Sequence, residues 1–384
     1  MILKGITKNV KILSIASLFT DISSEMLYPI IPIFLTSVLG ASMSVLGLVE
    51  GVAESAASIL KAFSGWFSDV SRKRRPFVIG GYSLSSLGKL LFFIAYSWPV
   101  VLLARLVDRI GKGIRTSPRD AMLADSCEAQ YMGKAFGFHR AMDTVGACVG
   151  PLFALWLLVV LKENLRMVFL IAFIPAAIAV AMLVYFLKEP PRTSRPEGFS
   201  LRPSARQFAP AFWRFILISL IFSVGNSSDA FLIMRAKGIG LSTVAVVLAY
   251  VVYNISYSAL SFPAGILSDR IPRKTVMIWG YLIFAIVYIG FGFFANTRSI
   301  WGLFFIYGFY IAMTEGVSKA FLTDVVDKDV RGTAMGIYHC LTGLAAFFAS
   351  LIAGLLWTHV GASAPFIYGA VMALLSCVAF VLLI

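Results

Sequence analysis

Charge, histidine and cysteine are all scarce in this chain. Only 14% of its 384 residues are Asp, Glu, Lys or Arg, and it holds 3 histidines and 4 cysteines. Cys127, Cys148, Cys340 and Cys377 stand far apart, without the paired spacings that build disulfide frameworks or thiolate metal sites, so they read as packing residues. The chain has no paired-histidine metal motif, no G-x-S-x-G elbow and no phosphate-cradling glycine loop. That speaks against an enzyme and leaves no cofactor and no metal to expect. The opening stretch MILKGITKNVK is basic and runs into apolar residues as a signal peptide would. It lacks a small-residue cleavage site, however, and the run that follows holds Asp21 and Glu25, so it reads as a retained spanning helix.

Apolar residues fill the chain instead, 59% of the total, with a mean hydropathy of +0.87. A soluble fold of this composition could not cover its surface with polar groups, whereas a chain in lipid has no such need. The formal net charge of +14 does not point to nucleic acid, because the basic residues lie in short connections between apolar runs, not in a polar domain. Runs long enough to span a bilayer begin near Ile12, Ser44, Phe77, Trp98, Ala135, Met167, Phe212, Thr243, Val276, Ile300, Ala334 and Ser363. The pattern predicts an all-α integral membrane protein of twelve transmembrane segments.

Loop charge sets the expected orientation. Lys4, Lys8 and Lys11 precede segment 1, SRKRRP (71–76) joins segments 2 and 3, and DRIPRK (269–274) joins segments 8 and 9. The alternate loops GASM (40–43) and YSWP (96–99) carry no charge, so both termini are expected on the cytoplasmic side. Residues 189–206, rich in Pro, Ser and Arg, read as a cytoplasmic linker between a bundle at 1–188 and a second at 207–384.

The halves repeat. GWFSD (65–69) returns as GILSD (265–269), Asp125 and Asp324 lie 199 residues apart, and so do Gly137 and Gly336. SSE (23–25) has a weaker echo in SSD (227–229). A duplicated six-helix unit with sites near the midplane is a secondary-transporter architecture.

On these residues the chain resembles a major facilitator superfamily permease over essentially its whole length. The superfamily's loop motif reads G-x-x-x-D-[RK]-x-G-[RK]-[RK]. In the first copy Gly65 and Asp69 match, Val70 stands for the basic residue and Arg72 for the glycine, followed by Lys73 and Arg74. In the second, Gly265, Asp269, Arg270, Arg273 and Lys274 match, with Pro272 for glycine. The resemblance implies that these loops gate the swing between two states; plain topogenic charge is the simpler reading. Segment 4, RLVDRIGKG (105–113), is similar to R-x-x-Q-G-x-G-x-G at Arg105, Gly111 and Gly113, and departs from it at Asp108, Arg109 and Lys112. Segment 5 is similar to the antiporter pattern G-x8-G-x3-G-P-x2-G-G at Gly137, Gly146, Gly150 and Pro151. The match favours export, and ordinary close helix packing explains the same glycines. The D-x-x-S-E-M-x-Y-P pattern of segment 1 is similar to a branch of prokaryotic permeases, which implies the inner membrane.

Charges inside the apolar runs are the candidate site, because such residues are costly in a bilayer and mark ion and substrate pathways. Asp21 and Glu25, Glu50 and Glu54, and Arg105 and Arg109 are each four residues apart and so share a helical face. Lys61, Lys89, Asp108, Lys112 and Asp143 complete the set in the first half. Asn226, Asp229, Asn254, Glu315 and Lys319 are its polar counterparts in the second, with Tyr250, Tyr257, Tyr307 and Tyr310 as wall. Asp108 with Arg105 or Arg109 reads equally as a structural ion pair, and His139 with Asp143 is a weak metal signal. Arg115, Arg119 and Asp120 are expected at the membrane interface. Asp21, Glu25 and Glu54 are the acids best suited to bind and release protons near neutrality. The expected activity is proton-coupled export of a small molecule by a functional monomer in the lipid bilayer. The alternative is a proton symporter importing a metabolite or metal chelate.

Overall fold

The computed structural model describes residues 6–71, 73–128, 131–189, 208–327 and 331–384. The described residues are helical almost throughout. Eleven segments are long and apolar enough to cross a bilayer: residues 8–38, 43–65, 75–93, 134–160, 165–186, 210–238, 243–270, 273–294, 299–324, 333–359 and 364–383. The twelfth, Trp98–Asp125, is long enough but carries its charges inward, with Arg105, Asp108, Arg109 and Arg115 all buried.

In chain order the helices are α1 (Lys8–Leu27), α2 (Ile30–Ile33), α3 (Met43–Ser71), α4 (Arg75–Phe93), α5 (Trp98–Asp125), α6 (Met132–Val160) and α7 (Leu165–Phe186). After the linker come α8 (Pro210–Gly225), α9 (Ala230–Gly238), α10 (Thr243–Arg270), α11 (Arg273–Ile289), α12 (Ser299–Asp324), α13 (Arg331–His359) and α14 (Ala364–Leu383). Local chemistry starts them. Thr7, Asn164 and Ser242 each accept a backbone N–H of the first turn of α1, α7 and α10. The Glu189 carboxylate accepts the N–H groups of Arg74 and Arg75, both at 2.8 Å, and so caps α4 from far along the chain. Gly40 and Gly240, 200 residues apart, take positive φ (+68° and +100°) where the chain turns after the first segment of each half.

Two segments are discontinuous. Pro29 brings no N–H to the helix, and segment 1 breaks at Tyr28–Pro29 before continuing through α2 and a π-helical turn at Phe34–Val38. Segment 7 breaks at residues 226–229 between α8 and α9.

The chain forms two compact units. The first holds Met1–Ala41 with Val52–Arg195, and the second holds Ser42–Gly51 with Pro196–Ile384. The opening of α3 thus groups with the second unit although it precedes it in sequence. Within the first unit α1 packs on α6 and α7, and α4 packs on α5 and α7. Within the second unit α8 packs on α13 and α14, and α11 packs on α12 and α14, the same scheme again. Close approach depends on small residues: a Cβ at Gly88 of α4 would lie 2.9 Å from the Asp108 backbone nitrogen of α5. The linker expected at 189–206 lies, apart from Glu189, outside the described residues.

Candidate functional site

The first unit gathers its charges on α1, α3, α4, α5 and α6. Arg109 Nε lies 3.1 Å from Glu54 Oε1, and Arg105 Nη2 lies 3.9 Å from the same oxygen, so one carboxylate of α3 bridges two arginines of α5. Arg105 also sits over the Tyr28 ring, at 5.3 Å, just at the break of segment 1. Asp108 takes its direct partners from α4. It receives Lys89 Nζ of α4 at 3.2 Å and the hydroxyl of Ser85, with Arg109 and Arg105 within electrostatic reach. The reason is geometric, since Asp108 lies on the α4 side of α5, where the glycines let the two helices touch. Lys89 is buried to 1% and also donates to Ser24 Oγ of α1 at 3.2 Å.

Asp21 and Glu25 face α6. A Cβ at Gly146 would lie 2.9 Å from Asp21 Cβ, and one at Gly150 would lie 2.9 Å from Glu25 Cβ. The segment-5 glycines Gly146 and Gly150 of α6 and the segment-1 acids, found as separate motifs, therefore form one interface. Gly137 takes no part, because nothing lies within 4 Å of where its Cβ would be. Pro151 follows inside α6. Asp21 has Asp143, Lys112, Arg115 and Glu25 within electrostatic reach and makes no direct ion pair among the described residues. Arg115, expected at the membrane interface, packs inside the unit. It is buried to 4% with its guanidinium 4.3 Å from the centre of the Tyr82 ring.

Glu50 leaves the set that the sequence placed it in. Though one turn from Glu54, it belongs to the second unit, is buried to 1%, and accepts from Ser228 Oγ at 3.1 Å at the break of segment 7. Ser228 in turn donates its N–H to Ser350 Oγ of α13 at 3.2 Å. Around the same break Asn226 donates to the Tyr310 hydroxyl at 2.8 Å, and Tyr307 donates to Asp229 Oδ1 at 2.7 Å. Farther along, Tyr257 donates to Glu315, which also meets Lys319 at 3.4 Å. Asn254 is turned back on its own helix and donates to the Tyr250 carbonyl.

At the loops, Arg74 pairs with Asp125 and Arg273 pairs with Asp324 at 3.1 Å, while Arg273 also meets Asp269 at 3.3 Å. Arg74 and Arg273 are 199 residues apart, as are their partners. The two aspartates were visible in the sequence only as part of the repeat, and the offset shared with the loop arginines was the signal that could have joined them. Gly65 lies against Ser117, with 3.1 Å between its would-be Cβ and that of the serine, whereas Gly265 faces open space. Arg270 is exposed at the end of α10. The side chain of Asp69 and the whole of Arg72 lie outside the described residues.

The chain is similar to known transporters along most of its length. The model of the Major Facilitator Superfamily matches residues 13–256 and 233–384. An uncharacterized MFS-type transporter of Methanocaldococcus jannaschii is 39% identical over 379 residues, covering 97% of this chain and 94% of the relative. The quinolone resistance protein NorA of Staphylococcus aureus is 21% identical over 344 residues, covering 87% and 86%. Among solved structures, the nucleoside transporter NupG superposes with a TM-score of 0.76 at 13% identity, covering 98% of this chain and 99% of that one, which shows a shared fold. The chain belongs to the major facilitator superfamily and is a multi-pass membrane transporter of small molecules.

Proposed function

We propose that the protein works by alternating access, driven by protons taken up and released at segment 1, and that it exports its cargo by antiport. One observation carries the proposal: the acids within the spanning segments of the first unit keep different company. Glu54 and Asp108 each hold a cation at direct ion-pair distance, so protonating either would strand a buried positive charge. Asp21 instead lies against the glycine backbone of α6, with charges near but none in direct pairing among the described residues, and can change protonation without abandoning a partner. Glu25, one turn further and on the same glycine face, is the second member of the site. Export is supported by the fit of Gly146, Gly150 and Pro151 to the antiporter pattern and by the similarity to a resistance protein, NorA. The paired loop arginines Arg74 and Arg273, with Asp69 and Asp269, serve as the cytoplasmic latch of the cycle. A symporter taking an anionic metabolite inward is the second reading, favoured by the run of cations Arg105, Arg109, Lys112 and Arg115 along α5.

The test is transport into proteoliposomes with an imposed pH gradient, using cargo found by screening. Asp21→Asn should lose gradient-driven accumulation and keep counterflow exchange, since a permanently neutral side chain permits cycling but releases no proton. Normal driven transport by both Asp21→Asn and Glu25→Gln would remove segment 1 as the coupling site.

A further inference from the structure

The stripe of α6 that carries Gly146 and Gly150 continues toward the start of the helix through Asp143 and His139. Residues 139, 143, 146 and 150 are spaced by four, three and four, so all four share one face, and the two glycines fix that face against α1. The two helices run parallel here, because Gly146 meets Asp21 and Gly150 meets Glu25. His139 and Asp143 therefore lie on the approach to Asp21 from the loop that precedes α6.

His139 is buried to 4%, and neither of its ring nitrogens has a hydrogen-bond partner. A buried imidazole with both nitrogens idle is costly as packing alone, since each desolvated polar atom goes uncompensated. Its Nε2 lies 3.6 Å from Asp143 Oδ2, and Asp143 Oδ1 is likewise buried without a partner. A small side-chain adjustment would bring the ring to transfer distance, and such contacts are commonly long in resting structures. Asp143 in turn lies within electrostatic reach of Asp21. The other charges facing His139 are Arg119 and Asp120 of α5 and Arg140 of α6. Arg119 is engaged with Asp120 at 2.8 Å and with Ser17 of α1 at 3.2 Å. That leaves Asp143 as the acceptor on the stripe.

We propose that His139 and Asp143 form a proton relay feeding Asp21. His139 takes a proton from water at the loop side on one ring nitrogen and gives one up from the other to the Asp143 carboxylate. Asp143 passes a proton to Asp21, and the sequence reverses on release. One O–H or N–H bond breaks for each that forms, and no electron is transferred. The inference rests on the reading of Asp21 as the coupling site, and it assigns the path by which the proton arrives.

The test uses the full chain in nanodiscs with histidine labelled at ring Cε1, the proton itself being the probe. With only 3 histidines, the His139 signal is assigned by elimination in His339→Gln and His359→Gln, which leave the first unit untouched. The His139 ring should titrate within the pH range over which the protein stays folded. Its midpoint should move by about half a pH unit or more in both Asp143→Asn and Asp21→Asn, and should stay in place in Asp229→Asn. A ring that does not titrate, or a midpoint unmoved by both acid variants, overturns the relay. A midpoint that answers to Asp143→Asn alone describes a local pair and overturns it too. Loss of driven transport in Asp21→Asn without linkage to His139 removes the relay alone. Linkage with driven transport intact in Asp21→Asn removes the coupling site, and the relay's role with it.

Discussion

In the first unit Glu54 lies between Arg105 and Arg109, and Asp108 meets Lys89. In the second, Asp229 and Glu315 each accept from a tyrosine hydroxyl, and Glu50 accepts from a serine. Both units carry acids on the same helical scheme, yet Glu54 and Asp108 meet cations directly, whereas Asp229 and Glu50 accept from neutral hydroxyls and Glu315 meets both a phenol and Lys319. The difference matters when a proton arrives. Neutralising an acid in an ion pair leaves a bare buried charge, whereas neutralising one beside a phenol leaves only a rearranged hydrogen bond. A change of charge at Glu54 or Asp108 is therefore felt more strongly than one at Asp229. The second unit also packs aromatic rings together: Phe222 stacks on Tyr281 with ring centres 4.0 Å apart, and Phe284 on Tyr288 at 3.8 Å.

The comparison can be broken most directly at Asp108. Asp108→Ala should strand Lys89, whose side chain is 1% exposed, and destabilise the protein by ~3–5 kcal/mol. The measurement is thermal unfolding in detergent, and adding Lys89→Met should restore much of the loss. A small effect of Asp108→Ala would show that this pair is not the high-stakes contact claimed. Next in size, Gly150→Leu should cost ~1–3 kcal/mol by overpacking, because a Cβ there meets the Ile22 carbonyl oxygen at 2.6 Å, while Gly137→Ala should be silent. Equal losses at the two glycines would mean that α6 does not seat on α1 through this stripe. In the second unit Tyr307→Phe removes the donor to Asp229 and should cost only about 1 kcal/mol, leaving the ring packing intact. A loss as large as that of Asp108→Ala would erase the contrast between the units. Smallest of all, Arg273→Ala breaks pairs whose carboxylates are 53% and 72% exposed and should change stability by ~0.2–1 kcal/mol. Because Arg273 is a member of the proposed latch, its loss should shift spin-label distances across the latch face while the melting curve barely moves.

How far the site could be read from residues alone is clearest in α5. The i, i+4 spacing of Arg105 and Arg109 placed both on one face, and both do reach one carboxylate. The same rule is silent on Asp108, because spacing along one helix says nothing of which neighbour lies on each side, and Lys89 arrives from α4. It also kept Glu50 with Glu54, yet the opening turns of α3 pack in a different unit from the rest, a distinction with no sequence mark. Gly146 and Gly150 announced close packing. That their partner is the pair Asp21 and Glu25, and that His139 lies idle on the same stripe, required the register between α1 and α6.

The sequence by itself determined the class, the twelve-segment count and the twofold repeat. Hydropathy is a property of each run in isolation, and a bilayer leaves a run of that length little choice but to be a helix. It also determined which polar residues had to avoid lipid, because that penalty belongs to the residue and not to its neighbours. Pairing was decided only in the tertiary structure. Whether a buried acid meets an arginine, a lysine, a phenol or bare glycine backbone depends on helix rotation and register, and those follow from the sum of many weak side-chain contacts between segments far apart in the chain. The chemistry that separates Asp108 from Asp21 lies in that sum.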